Sequence, residues 1–548
     1  MTTSSLTAAS FQVYDTTLRD GAQQEGMNLS VSDKLAIAVL LDELGVGFIE
    51  GGWPGAVPKD TDFFARAATE LTLKNAVLAA FGATRRAGVR AGDDQQVRAL
   101  LDAATPVVTL VAKSDVRHVE RALKTTRAEN LAMIADTVSF LVAEGRRVVL
   151  DAEHFFDGYR HDAEYATSAV TAAFEAGAEV VTLCDTNGGM LPTWIGEIVG
   201  ELKGAITPGA GQLLGVHAHN DSGCAVANSL AAVEAGATHV QGTVNGYGER
   251  TGNADLVTVV ANLELKGGMS LLADGGLREA ARIAHAISEI TNISPFARQP
   301  YVGASAFAHK GGLHASAIRV DPDMYQHTDP TLVGNDMRML VSDMAGRASI
   351  ELKGRELGFD LAGQGELLSR VTNRVKADEA AGYTYEAADA SFELLLRSEL
   401  GRRPEFYTVE SWRTIIETVP AGAAPPAVHA PDAVAVAEAT VKIRAGGERI
   451  VTTGEGNGPV NALDQALRTA LSQVYPELSR FELIDFKVRI LDTELGTDAI
   501  TRVLIETTDG EHSWSTVGVG PNVVEAAWEA VTEAYVYGLL KSGVEPRP

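Results

Sequence analysis

Phe11-Gln12-Val13-Tyr14-Asp15, running straight into Thr16-Thr17-Leu18-Arg19-Asp20-Gly21, decides the fold. An apolar run of strand length ends in a polar turn. A doubly wound nucleotide-binding sheet would carry Gly-X-Gly-X-X-Gly at this turn, and that pattern is missing. Seven further apolar runs follow: Phe48–Gly52, Ala76–Gly82, Val107–Ala112, Val148–Ala152, Val180–Asp185, Leu214–His219 and His239–Val244. Most are continuous rather than alternating, as strands covered on both faces should be. Segments with helical spacing separate them. Ser32–Leu44 begins at a capping serine and stops at Gly45. Asp60–Leu73, Gln95–Ala103, Ala128–Ala143, Ala163–Ala176, Pro192–Leu202, Cys224–Ala235 and Ala254–Leu265 behave similarly. Eight strand–helix units over roughly 250 residues predict an α/β protein with a (β/α)8, or TIM, barrel.

In such a barrel the chemistry lies at the C-terminal ends of the strands. Those ends carry Arg19, Asp20 and Gln23, then Glu50, then Asp151, Glu153 and His154. Asp185, Thr186 and Asn187 follow, then His217, His219, Asn220 and Asp221, and finally Asn245, Glu249, Arg250 and Asn253. Strand side chains alternate faces, so His217 and His219 point the same way. Closure of the barrel brings Asp20 and the amide oxygen of Asn253 beside them. Two imidazoles and two oxygen donors suit a divalent cation, and Zn²⁺, Mn²⁺ and Mg²⁺ all satisfy that set. Such an ion holds and polarises a 2-oxo acid. Arg19 is placed to stabilise the oxygen that becomes negative. Thr186 either hydrogen-bonds a substrate carboxylate or caps a helix, and Glu153 is a candidate acid/base. The loop Gly246–Gly252 either lets backbone approach a ligand closely or is a mobile turn.

The bulk composition narrows the class. The 548 residues exceed one core and call for several domains. Lys and Arg number 46 against 72 Asp and Glu, a formal charge of −26, which argues against nucleic acid and anionic membrane as partners. Two cysteines, Cys184 and Cys224, make no disulfide framework. With the polar start Met1 to Ser10 and no membrane-length apolar run, they predict a cytoplasmic protein.

Three regions follow: a catalytic barrel over 1–275, a linker or subdomain over 276–425 that completes the active site, and a C-terminal α+β domain over 432–548 for dimerisation or allosteric control. The middle region reads as helical over Gly346 to Ala377 and Ala387 to Leu400, and the Ala- and Pro-rich stretch Ala421–Pro431 reads as a linker. In the last region Gly458-Pro459 and Gly520-Pro521 each precede a helix, Val460–Leu471 and Val523–Leu539. Alternating segments lead into each, giving two duplicated strand-strand-helix units that can seat a small effector at their seam or form a dimer contact.

Taken together, Val13-Tyr14-Asp15-Thr16-Thr17-Leu18-Arg19-Asp20-Gly21-Ala22-Gln23, His217-Ala218-His219-Asn220-Asp221 and Gly246–Asn253 resemble the signatures of the acyl-CoA-dependent 2-oxo acid condensing enzymes. That family includes the 2-isopropylmalate, homocitrate and citramalate synthases and the related hydroxymethylglutaryl-CoA lyases. Glu50-Gly51-Gly52-Trp53-Pro54-Gly55 and Cys184-Asp185-Thr186-Asn187-Gly188-Gly189 are most similar to its citramalate-forming branch. The resemblance implies a Claisen-type condensation of acetyl-CoA with a metal-bound oxo acid. It makes Asp20, His217 and His219 metal ligands, with Asn253 at the metal or its water. Arg19, Gln23 and Thr186 would bind the oxo acid, and Arg19, Glu153, His314 and Tyr325 would be catalytic. It also implies a homodimer whose terminal domain takes isoleucine or leucine as effector. The middle motif reads Gly311-Gly312-Leu313-His314, leaving His309 and His314 as alternatives, with His314 preferred. Asp151 stands where an aromatic residue would close a small pyruvate pocket.

Pyruvate is the expected acceptor, and 2-oxoisovalerate is the alternative. A lyase of this group usually carries a cysteine in the loop after strand eight, and Gly246–Asn253 has none. A non-catalytic amino-acid sensor would have lost the polar rim, yet every rim residue is in place.

Overall fold

A computed structural model describes residues 11–420, 433–491, 496 and 498–547. Met1 to Ser10 and Ala421–Pro431 lie outside the described residues. The chain divides into two units, Met1–Phe307 with Thr328–Asp336, and Ala308–His327 with Met337–Pro548.

The first unit is a closed parallel barrel in sequential order. Its strands are β1 (Gln12–Asp15), β2 (Phe48–Glu50), β3 (Val77–Ala83), β4 (Val107–Lys113), β5 (Arg147–Glu153), β6 (Val180–Asp185), β7 (Leu213–Ala218) and β8 (His239–Gly242). β1 pairs with both β2 and β8, which closes the cylinder. The continuous apolar runs are explained by two cores. Ile49, Val108, Leu150, Val181 and Val216 pack outward beneath the helices. Tyr14, Phe48, Val107, Val149 and Val180 fill the interior. Each of the eight strands and eight helices falls within a few residues of its expected place.

Local details differ. The first helix, Val31–Leu44, is capped by Ser30 rather than Ser32. Ser30 accepts from the Asp33 backbone, and Asp33 returns the bond in a capping box. Two short helices, Val116–Arg121 and Phe155–His161, were not expected from the pattern. Both are under two turns long, too short for a periodic signal.

In the second unit the expected helix over 346–377 is two helices, Arg347–Glu356 and Gly365–Ala380. Gly358 (φ +85°) and Gly363 (φ +75°) break it in left-handed backbone. The duplicated region has three strands per unit. Thr408–Pro420, Ala433–Ala445 and Glu448–Gly456 form one antiparallel sheet, followed by helix Pro459–Ser472. Glu482–Ile490, Thr501–Thr508 and Ser513–Gly520 form the other, followed by helix Val523–Lys541. The unexpected strand Thr408–Pro420 pairs with Ala433–Ala445 end to end, so the Ala/Pro stretch joins two strands of one sheet. Among the described residues no helix is long and apolar enough to cross a membrane.

Candidate metal and acyl-transfer site

His217 is the penultimate residue of β7, and His219 follows directly after its last residue, Ala218. Their Nε2 atoms are 3.2 Å apart. The Asp20 carboxylate, delivered by the turn after β1, lies 3.4 Å from His217 Nε2 and 3.7 Å from His219 Nε2. All three are buried. Three buried Lewis bases that converge to 3.2–3.7 Å of one another require a positive charge, either a proton or a cation.

The protonation pattern favours a cation. His217 Nδ1 faces Gln241 Oε1 at 2.9 Å, and the Gln241 amide nitrogen donates to Asp151 at 2.9 Å and Thr182 at 3.1 Å. A carboxylate accepts only, so the Gln241 oxygen is the end that faces His217. A neutral His217 therefore carries its proton on Nδ1 and turns the Nε2 lone pair toward Asp20 and His219. Burial opposes the Asp20 charge, yet Arg19 and the two imidazoles hold its carboxyl far below the usual carboxylate range. Burial and then His217 push His219 down to about 4. Burial also opposes protonation of His217, but Asp20 outweighs it and raises its pKa, so a proton competes for the seat of a cation.

Asn253 is brought alongside by a backbone bridge to His219. Its side-chain nitrogen donates to Tyr247 O at 2.9 Å, and its Oδ1 is buried without a hydrogen-bond partner. An orphaned buried carbonyl oxygen beside this cluster fits a ligand, or a water on a ligand, for a divalent ion. The loop Gly246–Gly252 is shaped to hold it. A Cβ at Gly248 (φ +147°) would lie 2.4 Å from Asn253 Nδ2, and one at Gly252 (φ +85°) would lie 1.9 Å from Gly246 O. Arg250 pins the loop, with two bonds to Asp221 and one to Thr186 O.

Arg19 lies beside the cluster. Its Nε donates to Glu50 at 2.6 Å, NH1 lies 3.3 Å from Asp20 and NH2 lies 4.0 Å from Asp151. The guanidinium carbon sits 3.8 Å from the centre of the Phe81 ring. Burial works against its charge, but Glu50 and Asp20 keep it firmly protonated. Glu50, expected at the rim, is fully buried beneath it and also accepts from Tyr14 and Thr16.

A cavity of about 660 Å³ opens over this floor, lined by Arg19, Asp20, Gln23, Glu153, Thr186 and His219 among others. Glu153 is ion-paired with Lys113. Thr186 Oγ1 accepts from the His154 backbone N–H at 2.9 Å, which leaves its own O–H free to donate. The bond holds the backbone where helix Phe155–His161 begins, and Thr186 is not itself the cap of a helix. Other rim residues are structural. Asp185 accepts from the Gly189 and Met190 backbone, Asn187 donates to Asp157, and Asn245 donates to Ala284 O. His314 and Tyr325 belong to the second unit, where their rings stack 4.1 Å apart; His309 is 6.2 Å from His314.

Sequence reasoning missed Lys113 and the part played by Gln241. Both positions end strands, at β4 and near the end of β8. Lys113 stands directly opposite Glu153, and His217 opposite Gln241. Registering neighbouring strands against one another would have found them.

Family models match in chain order. An HMGL-like model covers residues 10–288, a homocitrate synthase post-HMGL domain-like model 301–382, and a LeuA allosteric (dimerisation) domain 386–539. The (R)-citramalate synthase of Streptomyces coelicolor is 63% identical over 547 residues, covering 100% of both chains. That of Synechocystis is 48% identical, covering 97% of this chain and 96% of its own. The 2-isopropylmalate synthase of Pyrococcus furiosus is 30% identical, covering 96% and 99%. With the barrel, the site and the terminal domain all accounted for along its whole length, the chain belongs to the HMGL-like enzymes, on their (R)-citramalate synthase branch.

Proposed function

We propose that the chain condenses acetyl-CoA with pyruvate to give (R)-citramalate and CoA, feeding isoleucine biosynthesis in the cytoplasm. The convergence of Asp20, His217 and His219 beside Arg19, under one cavity, carries this reading. Asp20, His217 and His219, with Asn253 beside them, would hold a divalent cation (Mg²⁺, Mn²⁺ or Zn²⁺), which supplies polarisation of the acceptor ketone. Arg19 is locked by Glu50 and Phe81, so its remaining N–H groups are fixed donors for the oxygen that gains charge as the carbon–carbon bond forms. Gln23 and the free Thr186 hydroxyl are assigned to the oxo acid carboxylate. Glu153, with Lys113 against it, is assigned the proton lost from the acetyl methyl group. The enolate carbon then attacks the ketone, the ketone oxygen takes up a proton, and water cleaves the thioester to release CoA. We assign His314 rather than His309 to proton transfer because it is His314 that stacks on Tyr325.

The citramalate synthases are 48% and 63% identical to this chain, against 30% for the 2-isopropylmalate synthase, which favours pyruvate over 2-oxoisovalerate. The three-region division, with a barrel over 1–275, a completing region over 276–425 and a regulatory domain over 432–548, belongs to the same proposal. In the terminal domain, the edge strand Glu482–Ile490 exposes Ile484, Val488 and Ile490, which supports its use as a homodimer contact. The LeuA allosteric-domain match supports an effector site there, to which we assign isoleucine or leucine.

The test is CoA release from acetyl-CoA with pyruvate, 2-oxobutyrate, 2-oxoisovalerate or glyoxylate, with Mg²⁺ or Mn²⁺. Pyruvate should give the highest kcat/KM. Equal or better turnover of 2-oxoisovalerate would overturn the acceptor assignment, and release without any oxo acid would overturn the condensation.

A further inference from the structure

The site contains a buried relay that the condensation chemistry does not itself require. Asp151 Oδ1 accepts from Gln241 Nε2, which also reaches Thr182, while Gln241 Oε1 accepts from His217 Nδ1. The members come from β5, β8, β6 and β7, so four strands of the barrel meet at one amide. Gln241 and Thr182 are wholly buried, and Asp151 nearly so. The second Asp151 oxygen faces Arg19 NH2 at 4.0 Å.

We infer that Asp151 is a positioning residue: through Gln241 it fixes the tautomer of His217, so that Nε2 presents a lone pair and not a proton to the cation. This rests on the proposal that Asp20, His217 and His219 seat a divalent ion. An amide between two partners can be turned over at little steric cost, and its orientation is set by which partner accepts. Asp151 cannot donate when ionised, so it commands the NH2 end. The oxygen end then commands the Nδ1–H of His217. Metal-bound imidazoles depend on such outer partners, whose loss typically costs ten- to a hundredfold in metal affinity.

The substitution Asp151→Asn inverts this logic without changing size. The new carboxamide turns its oxygen toward Arg19, the stronger donor, and its NH2 toward Gln241. Gln241 must then turn over and offer its NH2 to His217 Nδ1. His217 is thereby protonated on Nε2, facing the cation. A second change, Gln241→Glu, repairs the relay in that background, because the new carboxylate accepts from the carboxamide at 151 and from His217 Nδ1–H together.

The experiment is Mn²⁺ binding to the full chain without substrate, read by electron paramagnetic resonance of the free ion at about pH 8, where Asp151 is ionised. Wild type should bind Mn²⁺, His217→Ala should not, Asp151→Asn should bind about ten- to a hundredfold more weakly, and Asp151→Asn with Gln241→Glu should bind nearly as wild type does. Thermal unfolding of each in chelator separates this effect from misfolding. Wild-type affinity in Asp151→Asn, or no recovery in the double variant, would overturn the relay while leaving the cation site standing. A wild-type chain that binds no Mn²⁺, or a His217→Ala chain that still binds it, would overturn the cation site and the relay with it.

Discussion

Glu50→Gln tests whether the barrel interior holds Arg19 for chemistry. Glu50 is fully buried and receives three donors: Tyr14 OH at 2.7 Å, Thr16 Oγ1 at 2.6 Å and Arg19 Nε at 2.6 Å. The amide keeps the shape. Its oxygen can still accept from Thr16 and Arg19, and its NH2 can donate to Tyr14, whose own hydroxyl turns to Thr109 at 2.6 Å. The hydrogen-bond count is therefore nearly preserved, and what is lost is a charge. A bond to a charged acceptor is worth about 1.5–3 kcal/mol and a neutral one about 0.5–1.5, so the loss is roughly 1–2 kcal/mol. Arg19 keeps Asp20 at 3.3 Å and Asp151 at 4.0 Å, which holds the effect below the larger cost of stranding a buried charge. If the whole loss appears in the transition state, kcat/KM for pyruvate falls about 5- to 30-fold. Arg19 should also lean on Asp20 and draw that carboxylate from the cation, so Mn²⁺ affinity should fall in the same direction. The assay is thiol-coupled CoA release at saturating acetyl-CoA and varied pyruvate. A kcat/KM within about twofold of wild type would show that Phe81 and Asp20 suffice to hold Arg19, and the argument from Glu50 would fail.

Other parts of the structure give separate tests. Gly252→Ala puts a Cβ against Gly246 O in left-handed backbone and must shift the loop that carries Asn253, so Mn²⁺ affinity should drop about tenfold or more; unchanged affinity would remove Asn253 from the site. Lys113→Met strips Glu153 of its paired cation and should lower kcat about a hundredfold with KM little moved, and a kcat like wild type would release Glu153 from the proton step. Glu533 is raised to about 7 by burial and by Glu529, against the pull of Ser391 and Arg403. The folded chain thus keeps a proton that the unfolded chain has already lost between about pH 4.5 and 7, so stability declines as pH rises through that window. Glu533→Gln should stabilise the second unit by up to roughly 3 kcal/mol at about pH 8 and scarcely at all near pH 4.5; an equal effect at both would disprove the linkage.

What the sequence revealed and what it hid have physical causes. Burial on both faces leaves a signal in every residue of a strand, so all eight barrel strands could be read from apolar runs. A period of two leaves a signal in two residues, so His217 and His219 could be paired on one face. The strand Thr408–Pro420 escaped because polar Glu410, Ser411, Arg413 and Thr414 interrupt it, and its pairing with Ala433–Ala445 is what makes it a strand. The relay escaped for a related reason. Gln241 lies 24 residues from His217 and 90 from Asp151, and nothing in three separated side chains states that β7 and β8 set His217 against Gln241. Register decides that contact, and the pairing of β7 with β8 exists only once the sheet has closed. A single-position slip of β8 against β7 would carry Gln241 to the outer face and leave His217 Nδ1 against an apolar neighbour. The tautomer of a metal ligand is therefore a property of the closed barrel, and substitutions in the outer helices that loosen β8 should weaken cation binding before they unfold the chain.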